Sequence, residues 1–164
     1  MTSTPGDGTA ARPLLIGVGN AYRHDDGLGP IVVRQVAPMA GGSCTVREVI
    51  GEGVALMDVW QGADTVLLVD ATRSGAAPGT IFRLDAGAAP LPVRFFHYST
   101  HAFGPAEGIE LARVFGALPK CLIVFGIEGA DFTAGEGLSS TVALAVPQLV
   151  ALILSDLRAL SSAP

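Results

Sequence analysis

Charge is scarce in this chain, and lysine scarcest of all. Charged residues fill 15% of its 164 positions, and nine of the ten bases are arginines scattered singly, with Lys120 the one lysine. Fifteen acids against ten bases give a formal net charge of −5, which argues against a nucleic-acid surface. Cysteine is nearly absent: Cys44 and Cys121 lie far apart, form no CxxC pair and fall in strand-like apolar runs. They read as two reduced, buried thiols of a cytoplasmic protein. No HExxH helix is present, which argues against a zinc protease carrying its own ion, and no GxSxG elbow supports a serine hydrolase at Ser99 beside His101. Long hydrophobic runs are missing too. The most apolar region, 142–154, is interrupted by Pro147 and Gln148 and falls short of a bilayer span, so no membrane role is expected. Residues 1–12 are small and polar, neither signal peptide nor twin-arginine leader, and read as a disordered tail before a single domain over 13–164.

What the chain does have is apolar residues, 49% of the total, and 21 glycines. A domain of this length buries roughly 70% of its unfolded surface in one core. Apolar runs predict strands at Leu14–Val18, Cys44–Val49, Thr65–Val69, Thr80–Leu84 and Cys121–Ile127. Helical periods predict helices at Pro30–Met39, Val54–Trp60, Pro105–Phe115 and Ser140–Leu160, with a loop rich in glycine and acid at Glu128–Gly137. This alternation predicts a three-layer α/β fold, a twisted and mostly parallel five-stranded sheet with helices on both faces.

In such sheets the ligand crevice lies beyond the carboxyl ends of the strands, where strand order reverses. The glycine-rich stretch Gly17-Val18-Gly19-Asn20-Ala21-Tyr22-Arg23-His24-Asp25-Asp26-Gly27-Leu28-Gly29 leaves the first strand there. It is a poor dinucleotide loop: the third glycine of that fingerprint is replaced by Tyr22, and two aspartates would repel a pyrophosphate. Two neighbouring acids are also poor core residues, since burying a charge without a partner is costly. Asp70 ends the third strand, His101 precedes the third helix, Glu52 follows the second strand and Glu128 ends the fifth. Carboxylate, carboxylate and imidazole in one crevice suit a divalent transition ion such as nickel or zinc. Plainer roles stand beside this one. Asp26 could serve the helix dipole, Asp70 could satisfy backbone donors in a turn, and His101 could cap the third helix. His24 and His97 lack a strand-end placement and read as structural or solvent-facing.

The Gly17–Gly29 stretch, Leu67–Ala71 with its Asp70, His101-Ala102-Phe103-Gly104, Val124–Ile127 and Gly137-Leu138-Ser139-Ser140-Thr141-Val142 together resemble the nickel–iron hydrogenase maturation endopeptidases over nearly the whole chain. The resemblance implies a five-stranded sheet between helices. It also implies removal of a short C-terminal extension from a hydrogenase large-subunit precursor once nickel is in place. It assigns the metal to Asp26, Asp70 and His101, with nickel held by the precursor and no nucleotide required. Asp25 is then only a neighbour, and Asp25→Asn should be tolerated better than Asp26→Asn. Many relatives carry an aspartate where this chain has Ile50, so Glu52, between Gly51 and Gly53, becomes a further candidate, as does Asn20 of the loop. Two other classes stay open: a metallohydrolase acting on a small molecule, and a chaperone that binds the precursor without cutting it.

Overall fold

The computed structural model describes residues 11–50, 53–92, 95 and 103–162. His97, Ser99, His101, Glu52 and nearly all of the expected N-terminal tail lie outside them. Five strands form one sheet: β1 (Leu14–Val18), β2 (Thr45–Val49), β3 (Thr65–Thr72), β4 (Ile81–Asp85) and β5 (Cys121–Glu128), in the order β2-β1-β3-β5-β4. All pairings are parallel except that of β4, which runs antiparallel along β5 as an edge strand. Four helices, α1 (Leu28–Met39), α2 (Gly53–Val59), α3 (Pro105–Val114) and α4 (Ser140–Ser161), cover the two faces. The expected α/β architecture is therefore the observed one. Chain order reverses between β1 and β3: β2 lies on one side of β1, and every later strand lies on the other.

The central strands are apolar on both faces because each face is covered. Leu67, Val69 and Phe125 pack with Val32, Val33 and Val36 of α1 and Leu149 and Ile153 of α4. Their strand neighbours Leu68, Leu122 and Val124 face the other way and pack with Leu56 of α2 and Ile109 and Ala112 of α3. Fully burying one such leucine or isoleucine contributes about 1.5–3 kcal/mol, so these two layers hold the sheet. Cys44 and Cys121 are free thiols and only half-buried, not fully buried as expected; partial desolvation raises the pKa of both.

One element runs well beyond the sequence expectation, and another is more apolar over its length than expected. β3 continues through Asp70 to Thr72, because β5 pairs with it over its whole length, Asp70 opposite Gly126 and Thr72 opposite Glu128. α4 spans 22 residues with a window of mean hydropathy 1.7, long and apolar enough by length and composition to cross a membrane, contrary to the expected shortfall. Pro147 lies on its exposed side and does not end it. Its inner face, Val142, Val146, Leu149, Val150, Ile153 and Leu157, is buried in the core.

Candidate active site at the strand switch

β1 stops at Val18 while β3 continues, and this step opens the crevice. The last register pair between them is Gly17 with Val69, so Asp70 lies one residue past that pairing, level with the end of β1. By strand alternation it shares the α2/α3 face with Val66 and Leu68, and it is wholly buried. It is thus not the turn residue that its sequence neighbours suggest; it is a carboxylate inside a central strand.

The loop after β1 is drawn tightly onto the sheet. Gly19 has φ +137°, and a Cβ there would run into the Asp26 carbonyl oxygen. A Cβ at Gly29 would run into the backbone of Val18 and Val69, so the first turn of α1 rests directly on β1 and β3. Pro30 falls in that first turn, as expected. Between these glycines a 3-10 turn, His24–Gly27, packs against β3 and carries both aspartates.

The two acids have opposite surroundings. Asp26 is half-buried, and its Oδ2 accepts the Asn20 backbone N–H at 3.1 Å. Asn20 in turn accepts the Tyr22 amide through its own side chain, which closes the loop on itself. Asp25 is fully buried, contrary to the expectation that neither acid belongs in the interior. The expectation fails because partners are supplied. Oδ2 accepts the amides of Ala130 (2.8 Å) and Asp131 (2.9 Å) and the Ser139 hydroxyl (2.8 Å), and Oδ1 accepts the Ser139 amide (2.7 Å). These donors come from the β5–α4 loop and the α4 N-cap, more than a hundred residues away. Asp25→Asn would set an NH2 group against at least one backbone N–H in either amide orientation, so the expected tolerance does not follow from this environment.

Further bonds clasp the same two loops. His24 N–H donates to the Gly135 carbonyl at 2.9 Å, and its Nδ1 lies 3.0 Å from the Gly137 carbonyl oxygen, a structural role as read from the sequence. The Arg23 guanidinium donates to the Phe132 carbonyl at 3.2–3.3 Å. Glu128 is a third buried carboxylate and not an open site residue. It accepts the Thr72 hydroxyl (2.7 Å), the Ser74 amide and hydroxyl (3.0 and 2.9 Å) and the Gly75 amide (2.9 Å). Burial alone would raise its pKa; these four donors outweigh burial and hold it below the usual carboxylate range. It fixes the chain leaving β3 just after Asp70. No local sequence signal marks either clasp, since each bridges segments 50 residues or more apart.

Beside Asn20 lies a groove of about 340 Å³ between the Gly19–Tyr22 segment and the end of β2. Ile50 and Tyr22 stand exposed on it, at 75% and 69%. Among the described residues no three histidine, cysteine, aspartate or glutamate side chains gather into a metal-binding group; the structure brings the elements carrying Asp26, Asp70 and Asn20 together, and His101 and Glu52 lie outside its description.

The family model for hydrogenase maturation proteases matches residues 51–156, a span that includes Asp70, His101 and Ser139. The chain belongs to this family. It is 30% identical over 120 residues to the hydrogenase expression/formation protein HupD of Thiocapsa roseopersicina, covering 72% of this chain and 54% of that protein. It is 29% identical over 153 residues to a putative hydrogenase maturation protease of Methanocaldococcus jannaschii, covering 88% of this chain and 96% of the relative. The fold matches the hydrogenase maturating endopeptidase HybD of E. coli with a TM-score of 0.70 at 26% identity, over 90% of this chain and 92% of that one. Against some relatives the chain is short: it spans 54% of the Thiocapsa protein's length and 60% of the corresponding Azotobacter chroococcum protein's.

Proposed function

We propose that this protein is an endopeptidase that removes the C-terminal extension of a nickel–iron hydrogenase large-subunit precursor in the cytoplasm, after nickel insertion, and that it recognises the nickel held by that substrate. The observation carrying this reading is the placement of two carboxylates at the strand switch, Asp26 on the loop after β1 and Asp70 within β3, in a member of the hydrogenase maturation protease family. Carboxylate oxygens with an imidazole form a donor set that nickel accepts. In this reading Asp26, Asp70 and His101 complete the shell of the substrate's ion, which polarises the scissile carbonyl or activates water. Asn20 has a positioning part, because its amide holds the Asp26 carboxylate. The groove along the end of β2 is where the precursor chain enters, with Tyr22 and Ile50 offering it apolar contact.

The test is incubation with nickel-loaded and nickel-free precursor, followed by mass measurement. Loss of the C-terminal extension from the loaded form alone is the expected result. Equal cleavage of both forms would overturn recognition of the metal, and stable binding without any mass loss would make the protein a chaperone.

A further inference from the structure

We propose that Asp25 is a positioning residue that sets the direction of the Asp26 carboxylate, and that Ser139 at the start of α4 is the other half of the device. The proposal rests on the reading of Asp26 as a site residue. Consecutive residues of a 3-10 turn project about 120° apart, at three residues per turn. When one of two neighbouring carboxylates is locked inward, the next is thereby turned outward. The structure shows this division: Asp25 fully buried, Asp26 half-buried, in the same four-residue turn.

The lock is built from the core and not from the loop itself. All four donors to the Asp25 carboxylate sit on the segment joining β5 to α4, and the Asp25 amide returns a bond to the Asp131 carbonyl at 2.9 Å. Ser139 occupies the N-cap of α4, where a serine hydroxyl ordinarily bonds the helix's own amides. Here it makes no such cap and donates to Asp25. A helix start has given up its usual cap to hold a carboxylate next door to the candidate site. His24, directly before Asp25, is held at φ +43°, a conformation that is unfavourable for a non-glycine residue and persists only where its surroundings impose it. The bonds from His24 to Gly135 and Gly137, on that same segment, are what impose it.

Three variants test the idea at a temperature where each is folded: Asp25→Asn, Ser139→Ala and Ser139→Thr, with Asp26→Asn as reference. Two readouts are taken, the rate of precursor cleavage per folded molecule and amide hydrogen exchange by mass spectrometry. Residues that orient a metal-contacting side chain typically cost about 10- to 100-fold in activity when lost, and Asp25→Asn is expected in that range. Ser139→Ala should fall less, and Ser139→Thr, which keeps the hydroxyl, should recover most of the parental rate. Exchange should rise in peptides covering 19–27 and 129–139, with β3 and β5 as protected as in the parent. Should Asp25→Asn not fold, the Ser139 pair carries the test alone. Parental cleavage by Ser139→Ala beside an inactive Asp26→Asn would overturn the positioning role and leave the site reading standing. Parental cleavage by Asp26→Asn would remove both. Exchange rising equally in β3 and β5 would also overturn it, since that is general destabilisation.

Discussion

The crevice has two sides, and they use their acids differently. Around the end of β5, Asp25 and Glu128 are buried and each accepts four hydrogen bonds from backbone amides and hydroxyls. At the β1–β3 step, Asp26 stays half-buried on a turn, and Asp70, itself wholly buried, sits in β3 one residue past its last pairing with β1. An ionised carboxylate taken from water needs its charge satisfied nearby. The β5 side meets this need with amides and hydroxyls from distant loops, so its acids act as fasteners. Place in the chain does not separate fastener from candidate site residue, for Asp25 and Asp26 are adjacent, the one wholly buried and the other half-buried.

The sharpest way to break the comparison is to neutralise the candidate site residues. Asp26→Asn, Asp70→Asn and His101→Ala are each expected to lower precursor cleavage by about a hundredfold or more, the scale on which misplacing a reacting group is felt. Mass measurement of the precursor checks this, and a variant cutting at the parental rate removes its residue from the site.

Stability should show the reverse order for the two neighbours. Asp25→Asn is expected to cost about 1–3 kcal/mol in urea unfolding, because buried amides lose their acceptor. Asp26→Asn, on the half-buried side, should stay within about 0.5 kcal/mol. Equal losses would show that the two carboxylates do not divide the work.

A smaller effect should appear with pH. The folded-state pKa of Glu128 is depressed, so the stability it contributes is fully present above the ordinary glutamate value of about 4.3 and is lost as pH falls through the lower folded value. Urea unfolding of the parent and Glu128→Gln should therefore differ most at neutral pH and converge in acid. A gap unchanged from pH 7 to pH 3 would mean that the Glu128 charge does not matter to its bonds.

The smallest effect belongs to an acid on neither side. Glu48 forms a bidentate pair with Arg34 at 2.6–2.7 Å, but both side chains are open to water, and such pairs contribute little. Glu48→Gln should leave the melting temperature unchanged within error. A clear drop would show that short distance alone, without burial, is enough here.

Much of the fold was legible because it follows from local pattern. Continuous apolar runs such as Leu67–Val69 and Leu122–Phe125 mark strands covered on both faces, and the spacing of Leu149, Val150, Ile153 and Leu157 marks the inner stripe of α4. The glycines between Gly17 and Gly29 announce a close approach, and the family follows from motifs spread along the chain. Tertiary structure decided what each acid is for. Nothing in Asp25-Asp26 says which carboxylate turns inward, because the donors that choose, Ala130, Asp131 and Ser139, are brought alongside only when the end of β5 and the start of α4 fold against the turn. Likewise Asp70 reads as a strand terminus until β5 pairs past it and draws β3 on to Thr72. Hydrophobic pattern is a property of neighbours in sequence; the satisfaction of a buried charge is a property of neighbours in space.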